Sequence, residues 1–170
     1  MWVKPMPSSD FGKDYIVNWI RTRFPTDAEI LDVGACDGKW RNLLHDYPNM
    51  DAIEIFPPNA EYIRPMYREV INSDVYDVQY RDYDLIIFGD VIEHMTVERA
   101  QAVLEYAKGR CKDMIVGVPY EYKQGKMYGN PWEEHIQDDL TDTEFVNRYR
   151  GFKPIITTWN YGYYHKEINQ

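Results

Sequence analysis

Apolar positions along the chain alternate between two periods. From Lys13 onward, Ile16, Trp19, Ile20 and Phe24 recur at helical spacing, and Pro25 marks the stop. The run Glu29-Ile30-Leu31-Asp32-Val33 then predicts a strand that leads into a glycine turn between Gly34 and Gly38, with a helix to about Tyr47 behind it. The same alternation predicts strands over 50–55, 69–72, 83–88 and 114–118. Helices lie between them, one opened by Pro57-Pro58-Asn59 and one carried by Ala100, Val103, Leu104 and Ala107. The unbroken run Leu85-Ile86-Ile87-Phe88 is what a strand covered on both faces requires. Thr141 and Glu144 stand at capping-box spacing, where each side chain satisfies the other's orphan backbone N–H.

Residues 152–159 and 163–168 differ from the rest and predict an antiparallel pair joined across Asn160-Tyr161-Gly162. Five strand–helix units followed by such a pair imply an α/β fold. The expectation is a three-layer αβα sandwich around a doubly wound, mostly parallel seven-stranded sheet with a C-terminal antiparallel hairpin. With 170 residues, no repeat and no linker, a single domain is expected, preceded by a loose arm over 1–12.

Composition narrows the function. Nineteen Lys and Arg against twenty-eight Asp and Glu give a net charge of −9, a poor match for a phosphate backbone, so no nucleic-acid partner is expected. No apolar run reaches the length of a membrane span, and the first residues lack a signal-peptide core. Cys36 and Cys111 are too few for a disulfide framework, and reduced thiols in the cytoplasm are the expectation. Neither has the neighbours of an activated thiolate, and no metal ligand set is expected.

The chemistry concentrates at two strand ends. In doubly wound sheets ligands bind beyond the carboxyl ends of the strands, where the strand order reverses. The first strand ends in Asp32-Val33-Gly34-Ala35-Cys36-Asp37-Gly38, and the second presents Glu54, twenty-two positions after Asp32. An acid at that place in a nucleotide-binding unit accepts ribose hydroxyls. The dinucleotide fingerprint is absent, since Cys36 and Lys39 stand where glycines belong, and no Walker-type loop occurs.

At these residues the sequence resembles the class I S-adenosylmethionine-dependent methyltransferases of the small-molecule type. The resemblance runs from about Lys13 to Ile168. It rests on Ile30 to Gly38, on Ile53-Glu54-Ile55, on Asn72-Ser73-Asp74-Val75, and on the string from Tyr83 through Gly89-Asp90-Val91-Ile92-Glu93-His94. It implies S-adenosylmethionine as cofactor, with Asp32, Gly34 and Gly38 around its methionine portion and Ala35, Cys36 and Asp37 in the same turn. Glu54 would hold the ribose and Ile55 would pack on the adenine. Asp74 would accept from the adenine amino group, with Ser73 and Val75 beside it, and Asp90 and Val91 would line the inner side. The departure is Cys36, where a middle glycine is usual.

The acceptor side is expected in the long connection 119–140, which has no clear periodicity and carries Tyr120, Tyr122, Tyr128, Trp132 and His135. Connections of this length in compact domains commonly serve as lids or binding loops. Tyr120, Tyr128 and Trp132 are the candidate substrate contacts, and His135 and His94 the candidate proton acceptors near neutral pH. Three readings stay open: a small-molecule methyltransferase, a protein or nucleic-acid methyltransferase, and a non-catalytic cofactor-binding domain. The acidic charge weighs against nucleic acid, and the presence of Asp32, Glu54, Asp74 and Asp90 weighs against a domain that has lost its cofactor.

Overall fold

The computed structural model describes residues 10–127 and 129–168. The elements run α1 (Lys13–Arg21), β1 (Ile30–Val33), α2 (Lys39–Leu43), β2 (Met50–Ile53), α3 (Pro57–Ile63), β3 (Glu69–Ile71), β4 (Tyr83–Gly89), α4 (Val97–Lys108), β5 (Cys111–Pro119), α5 (Asp142–Arg148), β6 (Lys153–Thr157) and β7 (Tyr161–Glu167). Single-turn helices at Ile92–His94 and Pro131–Glu133 interrupt the connections after β4 and β5. The seven strands form one sheet in the order β3-β2-β1-β4-β5-β7-β6. Pairings among β1 to β5 are parallel, and β7 is antiparallel to both β5 and β6. This is the expected doubly wound α/β sandwich.

Side-chain alternation divides the core into two halves. Ile30, Leu85, Ile87 and Ile115 pack with Ile16 and Ile20 of α1 and with α2 and α3 on one face. Leu31, Ile86, Phe88 and Val116 pack with α4 and with Phe145 of α5 on the other. Both faces are therefore covered, which is why β4 reads as a continuous apolar run. Ile30, Leu31, Ile86 and Ile87 are wholly buried, each worth about 1.5–3 kcal/mol.

Element ends depart from expectation for local reasons. Helix α1 stops at Arg21, because Phe24 precedes a proline and cannot hold helical backbone; the N–H groups of Arg23 and Phe24 both return to the Ile20 carbonyl. Helix α2 ends at Leu43, where Leu44 leaves helical geometry. Strand β5 begins at Cys111, earlier than its apolar run suggests. Tyr161 and Gly162 belong to β7, paired with Pro119 and Val118. At α5, Thr141 Oγ1 accepts from the Glu144 N–H (3.1 Å), while the Glu144 carboxylate pairs with Arg148. Among the described residues no helix is long and apolar enough to cross a membrane.

The order places β1 between β2 and β4, so the chain winds outward to β3 and then crosses back to β4. The carboxyl ends of β1 and β4 are thus the reversal point at which such sheets bind ligands.

Candidate active site

A cavity of about 850 Å³ opens at that reversal point, inside the size range of ligand pockets. The turn after β1 forms its floor. Gly34 has φ +70°, and a Cβ there would lie 2.6 Å from Val91 Cγ2, so glycine lets this turn close against the segment after β4. Cys36 stands at φ +50°, a left-handed conformation that costs a side chain roughly 1–2 kcal/mol. That cost is the physical reason a glycine is usual here. Cys36 is held by its N–H to Glu54 Oε2 (2.8 Å) and by Asn59 Nδ2 donating to its Sγ (3.8 Å). Burial pushes its thiol up, so it is a packing group and no nucleophile.

Glu54 closes β2 and lines the cavity, 4% exposed. Its two oxygens accept from Cys36 N and from Phe56 N (2.9 Å), leaving each with further acceptor capacity. Burial raises its pKa, and the two backbone N–H groups pull it back. Ala35, Asp37, Ile55, Ser73, Asp74 and Val75 also line the wall. Asp74 is already engaged: Oδ1 accepts from Tyr76 N (2.9 Å), capping the following turn, and Oδ2 pairs with Arg99.

Two expected contacts fall elsewhere. Asp32 is off the cavity wall: strand alternation turns it to the Ile30 face, where it is 1% exposed and accepts from Tyr67 Oη (2.5 Å). Its Oδ1 has no hydrogen-bond partner among the described residues, and burial lifts its pKa to about 7. Gly38 is also off the wall. It caps α2 at φ +77°, and a Cβ there would meet Met66 Cε at 2.5 Å, so its role is helix packing.

Asp90 follows β4 at φ +56° and lines the inner side with Val91. Asp90 Oδ1 accepts from Tyr161 Oη (2.6 Å), and Lys13 Nζ lies 3.8 Å from Oδ2. Lys13 is 2% exposed, over the Trp40 ring at 5.1 Å and donating to Tyr163 Oη at 3.2 Å. Burial raises Asp90 and lowers Lys13, each opposed by the other's charge.

The far end is built by the turn after β4 and the connection after β5. Glu93 is wholly buried, and neither carboxylate oxygen has a hydrogen-bond partner among the described residues. Burial, and then the charge of Asp90, hold its pKa well above the carboxylate range. His94 and His135 meet edge to face, ring centroids 4.7 Å apart. His94 Nδ1 lies 3.1 Å from the Glu134 carbonyl and His135 Nδ1 2.8 Å from that of Tyr122. Burial takes His94 down to about 4 and lowers His135 as well, so both imidazoles are neutral at pH 7.

The connection 119–140 folds over this end, and its backbone is tied to Glu93, whose carbonyl accepts from Ile136 N and Gln137 N. Trp132 lines the cavity at 46% exposed, with Phe56 alongside at 6.3 Å. Tyr120 reaches the wall, yet its hydroxyl bonds Tyr164 inside the core, so it anchors the connection. Tyr122, half exposed against the His135 ring, is the better placed tyrosine. Tyr128 lies outside the described residues, as does the arm up to residue 9. Sequence reasoning missed Glu93, Lys13 and Tyr161. Glu93 sits beside His94 in the quoted string, but nothing in the order of residues shows that its carboxylate is buried and unmatched.

No protein-family model matches the chain, and no curated protein matches it. Solved structures do match its fold. The chain is similar to magnesium protoporphyrin IX methyltransferase from Synechocystis PCC 6803, crystallised with S-adenosylhomocysteine, at 13% identity and TM-score 0.66, covering 89% of this chain and 80% of that one. It is similar to a TehB-like SAM-dependent methyltransferase from Corynebacterium glutamicum at 13% identity and TM-score 0.67, covering 95% and 89%. It also matches the N-terminal domain of EvdMO1, crystallised with S-adenosylhomocysteine and D-fucose, at 12% identity and TM-score 0.69, covering 99% and 91%. The fold is that of the class I methyltransferases.

Proposed function

We propose that this chain transfers a methyl group from S-adenosylmethionine to a small-molecule acceptor. The observation that carries the reading is Glu54: a buried carboxylate at the end of β2, pinned by two backbone N–H groups, facing a cavity whose floor is a turn that Gly34 lets sit close. A nucleoside fits this half. Glu54 has acceptor capacity left for two ribose hydroxyls, and Ile55 and Val75 offer apolar faces for a base. Asp74 takes a polar edge of the base with the lone pairs that Tyr76 and Arg99 leave.

Asp90 supports the methionine portion. Its Oδ2 is buried without a hydrogen-bond partner among the described residues, an acceptor suited to an ammonium. When bound, S-adenosylmethionine supplies a methyl on a sulfonium, which leaves as a neutral thioether. The protein's share is alignment and exclusion of water, and alignment alone reaches effective molarities of about 10⁵–10⁸ M. Trp132 and Tyr122 wall the acceptor end, and aromatic faces favour a sulfonium by about 0.5–2 kcal/mol.

Among acceptors, a small molecule fits better than a polyanion. The chain carries −9, and Asp90, Glu93 and Glu133 all line the cavity. The test has two stages. S-adenosylhomocysteine at a hundredfold excess over its Kd should stabilise by about 2.7 kcal/mol, a melting shift of roughly 5–11 °C, where NADH and ATP give none. Release of S-adenosylhomocysteine is then followed over a panel of hydroxylated metabolites, sugars, amines and peptides. A flat melting curve and flat calorimetry with the cofactor would sink the reading.

A further inference from the structure

Glu93 is an acid without a counterpart. It is 0% exposed, neither of its oxygens meets a donor among the described residues, and it lines the cavity between His94 and the connection after β5. Asp90 and Glu133 line the same end and add negative charge, and the buried cation Lys13 lies on the Asp90 side. A buried carboxylate of this kind needs a proton or a cation.

The two histidines favour the cation. A backbone carbonyl only accepts, so the bonds from His94 Nδ1 to Glu134 and from His135 Nδ1 to Tyr122 place the ring proton on Nδ1 in both. Each neutral ring therefore keeps its lone pair on Nε2. Anchoring the second ring nitrogen on a carbonyl is how proteins orient metal-binding imidazoles. One ligand atom from each of Glu93, His94 and His135 lies within 4.8 Å of the other two.

We propose that Glu93, His94 and His135 bind a divalent first-row transition ion of the manganese, iron, cobalt or zinc kind at the acceptor end of the cavity. Two imidazoles and one carboxylate suit these ions, whereas magnesium and calcium prefer oxygen ligands throughout. Bonds of about 2.0–2.2 Å put ligand atoms on one ion roughly 3–4 Å apart, so the triad closes by roughly 1 Å on binding. His135 comes to the triad from the connection after β5, whereas Glu93 and His94 share the single turn after β4. Three protein ligands leave coordination positions open, and an acceptor oxygen fills one. On the methyl-transfer reading above, this selects acceptors with a hydroxyl, whose proton an ion makes easier to lose to solvent.

The experiment uses the full chain, stripped with a chelator and dialysed, then titrated with Co²⁺. Visible d–d absorption reports coordination and calorimetry reports stoichiometry. One ion per chain is expected. Glu93→Gln and His135→Ala should each weaken Co²⁺ binding at least tenfold, while His45→Ala, at a residue outside the cavity, leaves it unchanged. Should Glu93→Gln fail to fold, His135→Ala on the connection still decides. Unchanged Co²⁺ affinity in a folded His135→Ala protein, or no d–d band in the wild type, overturns the site. S-adenosylhomocysteine binding is measured in parallel. Cofactor binding without cobalt binding removes the metal site and leaves methyl transfer standing. Cobalt binding without cofactor binding keeps the metal site and removes its role in methyl transfer.

Discussion

Replacing Asp32 by Asn separates a buried structural acid from a cofactor contact. Asp32 is 1% exposed, bonded to Tyr67 Oη, and its pKa is raised to about 7 by burial. An unfolded aspartate titrates near 3.8, so between that pH and 7 the folded protein holds a proton that the unfolded chain has lost. Stability from this group is therefore fully present at low pH and lost as pH rises through about 7. Linkage across the two values makes ionisation cost about 2 kcal/mol at pH 5.5 and about 4 kcal/mol at pH 8, a difference of about 2 kcal/mol.

Asn removes that term. Its oxygen still accepts from Tyr67, and its amide takes the place of the unpartnered Oδ1 at a cost of about 1–3 kcal/mol. Asp32→Asn should thus lie within about 1 kcal/mol of the wild type at pH 5.5 and exceed it by about 1–3 kcal/mol at pH 8. Urea denaturation of both proteins at the two pH values reads this directly, and the variant's relative Tm should rise by roughly 4–8 °C between them. Because the side chain is off the cavity wall, S-adenosylhomocysteine affinity should stay within about threefold. A stability difference that does not change with pH would refute the burial argument, and a large loss of cofactor affinity would return Asp32 to the site.

Glu54→Gln should weaken S-adenosylhomocysteine roughly ten- to hundredfold by calorimetry, the worth of a charged acceptor of about 1.5–3 kcal/mol. It should also lower the Tm, because one of the N–H groups of Cys36 and Phe56 loses its acceptor; unchanged affinity and Tm together would be inconsistent with both roles. Gly34→Ala forces a Cβ at φ +70° to 2.6 Å from Val91, and should cost about 1–3 kcal/mol in denaturation and most of the cofactor affinity. Binding at wild-type strength would show that the turn can yield. Trp132→Ala should keep cofactor affinity and lose turnover on an identified acceptor; full activity would make the connection a packed flap.

The order of residues by itself determined the alternation, and with it the fold. Apolar runs of period two and helical stripes are local, and Leu85-Ile86-Ile87-Phe88 can be satisfied only by cover on both faces. The cavity wall at the ends of β1 and β2 was legible for the same reason: Gly34, Cys36 and Glu54 are set by strand ends, and a strand end is a local feature. Asp32 shows where locality stops. The glycine turn begins two positions on, but the pleat sends its side chain to the face opposite Leu31 and Val33, onto Tyr67, thirty-five positions away. The far end of the cavity is tertiary throughout. Glu93 is buried only because the connection after β5 folds back on it, bonding Ile136 and Gln137 to its carbonyl and bringing His135 against His94 from forty-one positions away. Burial with no donor among the described residues turns an ordinary glutamate into an acid that needs a proton or a cation, and only packing between distant segments creates that condition.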